Sequence, residues 1–370
     1  MQKSINKIKV AYVIGGLPFG GVENWLFDLV RIAPDFGIYP VVINLSGTGA
    51  MLTLYKKEQI NVICLSNTER ALNTHRLDTA VKLRKTFARI NPDIIHGLHF
   101  SGGYFSRLAN FDKKRPVLIH VRNVKLEPKR HRIWANKILS YWTDCYLSVS
   151  KAVQRECVEK THNFANKPSY VLYNAIDANR FPEKGFKKKD FGLEGKVVFA
   201  GVGRLVEQKN FDLLIEAYAL YRLDGNRDNA LLIIGDGPLR ARLEFLVEKY
   251  GLENSVKFLG YRVDVPNILN IVDLLIMPSS YEGFPIAHLE AMYMGIPSIV
   301  SPFVPSKEVA GESCIVSNNV PEEISNKIKL IIEDIGLYNQ MSCQARDIAQ
   351  GFLIEEHINE LKKKYMWLVK

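Results

Sequence analysis

No stretch of this 370-residue chain is apolar for long enough to cross a bilayer. Its longest apolar runs, such as Leu274–Met277 and Val197–Ala200, are strand-length, against the roughly 20 residues a membrane helix needs. After Lys3, Lys7 and Lys9 comes only Val10–Ile14 before a glycine pair. That is shorter than a signal-peptide core of roughly 7–15 residues, so a first buried strand is expected and export is not. Cysteine is scarce: Cys64, Cys145, Cys157, Cys314 and Cys343 are odd in number, scattered and without CxxC spacing. A disulfide framework and a zinc site are both disfavoured, and reduced thiols in a cytoplasmic protein are expected. Low-complexity tracts, short repeats, helix-turn-helix patterns and RNP-like aromatic motifs are also missing, which counts against nucleic-acid binding.

What is present reads as a globular chain of two domains, with 47% hydrophobic and 24% charged residues. Charge is unevenly shared. Residues 1–180 carry 27 Lys and Arg against 13 Asp and Glu, and the remainder carry 22 against 26, within a net charge of +10. Only the first half is expected to face an anionic surface. Short β-branched runs alternate with amphipathic helical segments, the pattern of parallel sheets covered on both faces. Strands are predicted at Lys9–Ile14, Pro40–Leu45, Asn61–Leu65, Asp93–His96, Val117–Val121, Cys145–Val149 and Tyr170–Tyr173. After a linker-like stretch, Glu183–Gly195, they resume at Val197–Ala200, Leu231–Ile234, Ser255–Phe258, Leu274–Met277 and Ser298–Val300. Helical patterns include Val22–Ile32, Leu77–Ile90, Lys151–Lys160, Phe211–Tyr221, Leu239–Tyr250 and Ile286–Met294. A final one, Ile354–Leu368, has an apolar stripe that must pack on something. The fold class is therefore α/β, with two doubly wound domains at 1–180 and 181–353.

The sharpest signal is Tyr281-Glu282-Gly283-Phe284-Pro285-Ile286-Ala287-His288-Leu289-Glu290. Pro285 suits a first helical turn, and Gly283 allows a sharp turn beside a ligand. Free N–H groups at the helix start would face an anion. Glu282 and Glu290 could face one crevice, and a carboxylate accepts two hydrogen bonds side by side, as a sugar diol offers them. Upstream, Gly201-Val202-Gly203-Arg204 and Lys209-Asn210 place two cations near a helix start, where a diphosphate is attracted. Gly235-Asp236-Gly237-Pro238 ends the next strand at the same carboxyl edge. Solvated carboxylates, and cations merely flanking a helix, are the structural alternatives.

Together these segments resemble the retaining family-4 glycosyltransferases of the GT-B fold: a Glu-x7-Glu motif, a Gly-Arg-Leu…Lys-Asn loop and GlyAspGlyPro. Gly20-Gly21-Val22-Glu23 is similar to the family's glycine-rich first loop, and Ser148-Val149-Ser150 and Tyr173–Asp177 to patterns near the domain crossover. The resemblance implies two facing Rossmann-like domains with a cleft between them, and a last helix, in 354–370, crossing back to the first. The first domain would bind the acceptor and the second the nucleotide sugar. Arg204 and Lys209 would bind the donor diphosphate, Glu290 the ribose, and Glu282 the transferred sugar together with Gly283, Phe284 and Pro285. His120 would contact the sugar or β-phosphate, and Gly20 and Gly21 would close on the diphosphate. The chain departs from the family at Ala175, at Pro302–Lys307 and at His288, which stands where an apolar residue is usual. No Asp-x-Asp spacing occurs, so a metal-clamped diphosphate is not expected, nor any other cofactor, and the resemblance implies transfer with retention. A UDP-sugar is the first expectation for the donor and GDP-mannose the second, with a lipid-linked or saccharide acceptor in cell-surface polysaccharide or lipopolysaccharide assembly. A nucleotide-sugar epimerase of the same fold is the rival enzyme, and a basic nucleic-acid-binding protein the non-enzymatic one.

Two further features stay open. His96 and His99 share an i,i+3 spacing that could hold a metal, but no third ligand is evident; acceptor contact is the other reading. Between Asp112 and Arg132 lie Lys113, Lys114, Arg115, Arg122, Lys125, Lys129, Arg130 and Arg132, then Trp134, Lys137, Tyr141 and Trp142 on an expected helix. A solvated face is the plain reading. Aromatics among cations also suit an anionic membrane surface, which would place the protein on the cytoplasmic face of the inner membrane.

Overall fold

A computed structural model of the chain describes residues 7–370, leaving aside 75, 125–129, 182, 184, 226 and 227 and the side chains of 130 and 131. Lys3, Lys125, Lys129, Pro182 and the Arg130 side chain thus lie outside the described residues.

Two compact units form, Met1–Ala175 with Ile354–Lys370, and Ile176–Leu353. The first holds strands β1 (Ile8–Ile14), β2 (Ile38–Asn44), β3 (Val62–Cys64), β4 (Ile94–Leu98), β5 (Val117–Val121), β6 (Cys145–Ser148) and β7 (Ser169–Val171), in the order β3-β2-β1-β4-β5-β6-β7. The second holds β8 (Val197–Val202), β9 (Asn229–Ile234), β10 (Val256–Gly260), β11 (Leu274–Met277), β12 (Ser298–Val300) and β13 (Cys314–Val316), in the order β10-β9-β8-β11-β12-β13. The named strands pair in parallel. Helices cover both faces of such sheets, which is why β4, β5, β9 and β11 are buried at every position. In each sheet the order reverses once, at β1/β4 and at β8/β11. Loops leaving the carboxyl ends of these strand pairs part to opposite faces and open a crevice.

The predicted elements recur with shifts of a residue or two, and four differences stand out. Strand β13 was not predicted; it is three residues long and directly follows a 3-10 turn at Gly311–Ser313. Lys151–Lys160 is α-helical only to Val153 and continues as a π-helix, Gln154–His162. The expected helix Arg132–Trp142 is an α-helix at Arg130–Leu139 with a 3-10 turn at Ser140–Trp142. The linker-like stretch is not loose, because Lys188 Nζ lies 2.6 Å from Asp273 and Lys257 Nζ donates to the Phe191 carbonyl. The last helix, Ile354–Leu368, belongs to the first unit and buries Ile354, Ile358, Leu361 and Tyr365.

Candidate active site

In the second unit, glycines bring two loops together backbone to backbone. Gly235 has φ +143°, and a Cβ there would lie 1.9 Å from the Gly203 carbonyl oxygen. At Gly237 a Cβ would lie 2.5 Å from the Leu205 oxygen. Leu205 N–H can therefore donate to Asp236 O, and Leu239 N–H to Leu205 O. The loop after β8 is also sewn across the switch point to the loop after β11. Gln208 Nε2 donates to Tyr281 O at 2.7 Å, Asn210 Nδ2 to Pro278 O at 2.8 Å, and Ser280 N to Gln208 O at 2.8 Å. Asn210 takes the left-handed φ of +50° that asparagine tolerates.

This stitching sets Lys209 Nζ 2.5 Å from Glu282 Oε1, with both side chains largely buried. Glu290 is buried as well, and Arg180 Nη1 stands 3.4 Å from its Oε1. Arg204 is exposed and makes no ion pair among the described residues. Gly283, Phe284 and Pro285 are buried. Two local expectations need correction. Pro285 precedes the helix Ile286–Tyr293 as its N-cap, with ψ +124°, and Gly283 is not among the residues of positive φ. His288 is structural: its Nδ1 lies 2.6 Å from Ser306 Oγ and its Nε2 2.7 Å from Ser298 Oγ. Burial pulls its pKa down to about 4.

In the first unit, Gly20 is extended (φ −176°) and Gly21 opens the helix Gly21–Ile32. A Cβ on Gly20 would meet Glu23 Oε2 at 2.5 Å, so glycine lets the Glu23 carboxylate fold back on the loop. Strand register places Tyr12 opposite His96 and Leu98 opposite His120. The three rings thus share one sheet face, under Trp25 and the last helix. His96 Nε2 is 3.3 Å from His120 Nδ1, His96 Nδ1 2.6 Å from Tyr365 Oη, and Tyr365 Oη 2.9 Å from Tyr12 Oη. Trp25 Nε1 donates to His357 Nε2, so His357 Nδ1–H donates to the Tyr173 carbonyl. Burial first, and the Arg122 cation second, hold His96 and His120 well below the usual imidazole range. These rings are neutral at pH 7.

His96 and His99 are not a pair. His96 is buried with both nitrogens engaged, whereas His99 is exposed, opens the helix His99–Ala109 at φ +56° and lies 3.9 Å from Glu23. Among the described residues no group of three or more His, Cys, Asp or Glu could hold a metal ion. The sequence offered no sign of Arg180, Tyr12, Trp25 or His357 at a site, and of Tyr365 only its place in the apolar stripe of the last helix; the partners of all five are remote in the chain. Arg122 was seen only as part of a basic run; it directly follows β5, and it and His120 both pack on Trp25.

Residues 19–180 match the family model described as glycosyltransferase family 4, and residues 183–348 the one described as glycosyl transferases group 1. The chain belongs to glycosyltransferase family 4. The glycosyltransferase is 28% identical, over all of its own length and 99% of the relative's, to the Escherichia coli UDP-Gal:alpha-D-GlcNAc-diphosphoundecaprenol alpha-1,3-galactosyltransferase. Solved structures share its GT-B fold. Anabaena HepE in complex with UDP and glucose superposes with a TM-score of 0.84 at 21% identity, covering 98% of this chain and 100% of that one. A glycosyltransferase from Rickettsia africae superposes with a TM-score of 0.82 at 19% identity, covering 99% of each.

Proposed function

We propose that this glycosyltransferase moves a hexose from a UDP-sugar to a saccharide acceptor linked to a lipid through diphosphate, with retention of configuration and without a metal ion, in cell-surface polysaccharide assembly. The observation that carries the reading is the charge arrangement at the carboxyl edge of β8 and β11. There an exposed Arg204 stands in the same loop as Lys209, which is held against Glu282. The donor's diphosphate takes Arg204 and Lys209 as counter-charges, so the negative charge that grows as its bond to the sugar breaks is neutralised by fixed cations. Glu282 then accepts hydrogen bonds from the sugar hydroxyls, and Glu290, steadied by Arg180, accepts from the ribose. The family resemblance supports a further role for His120 in contacting the sugar or its phosphate. The full-length likeness to the galactosyltransferase supports a UDP-sugar and a diphosphate-linked acceptor.

Work at a cytoplasmic membrane face is part of the proposal. Phe111, Trp134, Ile138 and Tyr141 are exposed, and Lys137 lies over the rings of Trp134 and Phe164. Among the described residues no helix is long and apolar enough to cross a membrane, so contact would be peripheral.

The test is transfer from a panel of UDP- and GDP-sugars to a diphosphate-linked N-acetylhexosamine, with and without EDTA, and NMR of the product's anomeric centre. An α-linked product from a UDP-sugar, formed in EDTA, is expected. A β-linked product, a requirement for a divalent ion, or transfer only from GDP-mannose would each refute the corresponding part.

A further inference from the structure

Hydrogen-bond donors remain unmatched at the carboxyl end of β5. Arg122 is 6% exposed, and its Nε and Nη1 have no partner among the described residues; neither has Nε2 of the fully buried His120. Among the described residues the guanidinium donates from Nη2 alone, to Asn174 Oδ1 at 2.5 Å. His120 lies on β5 and Arg122 directly follows its last residue, and the two side chains reach the same aromatic ring. That ring is Trp25: Arg122 Cζ lies 3.8 Å from the ring centroid, and the His120 ring packs edge-on at 5.3 Å.

The bonded chain behind His120 decides what its Nε2 offers. Protons along Tyr12, Tyr365, His96 and His120 can all point one way or all the other. Pointing outward, Tyr12 donates to Tyr365, Tyr365 to His96 and His96 to His120 Nδ1, which leaves Nε2–H as a donor. Pointing inward, the last unmatched donor is the hydroxyl of Tyr12, fully buried. A buried donor without an acceptor costs about 1–3 kcal/mol. An acceptor beside His120 therefore favours the outward order, because every buried hydroxyl and ring N–H of the row is then matched. A guanidinium keeps its charge in proteins, so the acceptor that suits Arg122 as well is an anion with several oxygens. Glu23 is the carboxylate whose charge favours the charged form of Arg122, against the burial that opposes it.

We infer that Arg122 and His120 form a phosphoryl-binding site in the first unit, in which Arg122 Nε–H and Nη1–H and His120 Nε2–H are the donors. The inference rests on the proposed transfer reaction only for the origin of the phosphoryl group, either the diphosphate of the acceptor or that of the donor.

Inorganic pyrophosphate is the direct probe. In the full chain carrying Arg204→Ala and Lys209→Ala, which removes the two cations proposed to bind the donor diphosphate in the second unit, pyrophosphate should still raise the melting temperature. Adding Arg122→Gln should abolish that rise, and Arg122→Lys, with one cation but no fork, should keep part of it. The lysine variant keeps the test alive if the glutamine variant fails to fold. No rise in the double variant with Arg122 intact overturns the inference. Kinetics then assign the source in the otherwise unaltered chain. With Arg122→Lys, KM should rise tenfold or more for the diphosphate-linked acceptor, but not for the same saccharide on an uncharged aglycone, if the group is the acceptor's. If it is the donor's, KM for the nucleotide sugar rises with both acceptors. Unchanged KM for all three substrates overturns the site. Failure to transfer any sugar would sink the proposed reaction yet leave the pyrophosphate result standing on its own.

Discussion

Lys209 and Glu282 show how one contact can serve two purposes. The ion pair satisfies two largely buried charges, and it also sets the cation and the carboxylate where a diphosphate and a sugar would need them. Removing one partner strands the other, which is costly for a buried charge. Lys209→Ala should therefore lower both melting temperature and turnover, the latter about 10²-fold or more if it neutralises a leaving diphosphate. Adding Glu282→Gln should restore the melting temperature and leave turnover low. Should the double variant regain turnover along with stability, the pair is a structural bridge and its catalytic role is lost. His288 is the opposite kind of residue. It sits two positions before Glu290, yet both ring nitrogens are spent on Ser298 and Ser306, so it anchors the helix that carries Glu290 and has no free atom for a ligand.

At the scale of elements, the site depends on how closely the loops after β8 and β9 approach. Gly235→Ala would force a Cβ against the Gly203 carbonyl at a φ of +143° that side chains rarely adopt. The loops must separate, Leu205 loses its bond to Asp236, and the turn that aims Lys209 shifts. The variant should melt earlier and show a donor KM raised about tenfold, since small misplacements of a positioned group are expensive; a melting shift with unchanged donor KM would show that the loop contact does not position Lys209. This part of the molecule was largely legible beforehand. Buried parallel strands are continuous apolar runs, so β5, β11 and β12 were predicted to the residue. Glu282 with Glu290, and Arg204 with Lys209, were proposed from two local motifs, and the structure brings Lys209 to Glu282. What escaped notice had no local signature. Tyr365 and His96 are 269 positions apart, and only the docking of the last helix brings them together. The π-helix at Gln154–His162 shares its apolar positions with an ordinary helix, and its changed hydrogen bonding leaves no mark on composition. At Pro285 the preference for a first helical turn was off by one residue, within the usual spread of helix ends.

Two properties belong to the whole molecule. Buried imidazoles are spread through both units: His162 and His288 are drawn down to about 4 and His357 to about 3, chiefly by burial, and His96 and His120 lie well below their ordinary value. Below about pH 6.5 the unfolded chain binds protons that these rings refuse, so stability is complete above that pH and drains away as pH falls towards 4. The melting temperature should drop steadily between pH 7 and 5, and a flat profile would mean that these rings are not neutral in the fold. The second property is the charge of the first half, which meets exposed aromatics around Trp134, Ile138 and Tyr141. A cation gains about 1 kcal/mol beside anionic lipid, and aromatic rings settle at the headgroup level. The chain should sediment with phosphatidylglycerol vesicles at low salt and not with phosphatidylcholine vesicles. Added salt should release it, because the Debye length shrinks to about 10 Å at 0.1 M. Trp134→Ala with Lys137→Glu should weaken sedimentation while leaving transfer to a water-soluble acceptor unchanged, which separates a docking surface from the reaction itself. Equal sedimentation of the variant and the native chain would place the membrane contact elsewhere, and no sedimentation of the native chain at low salt would remove it.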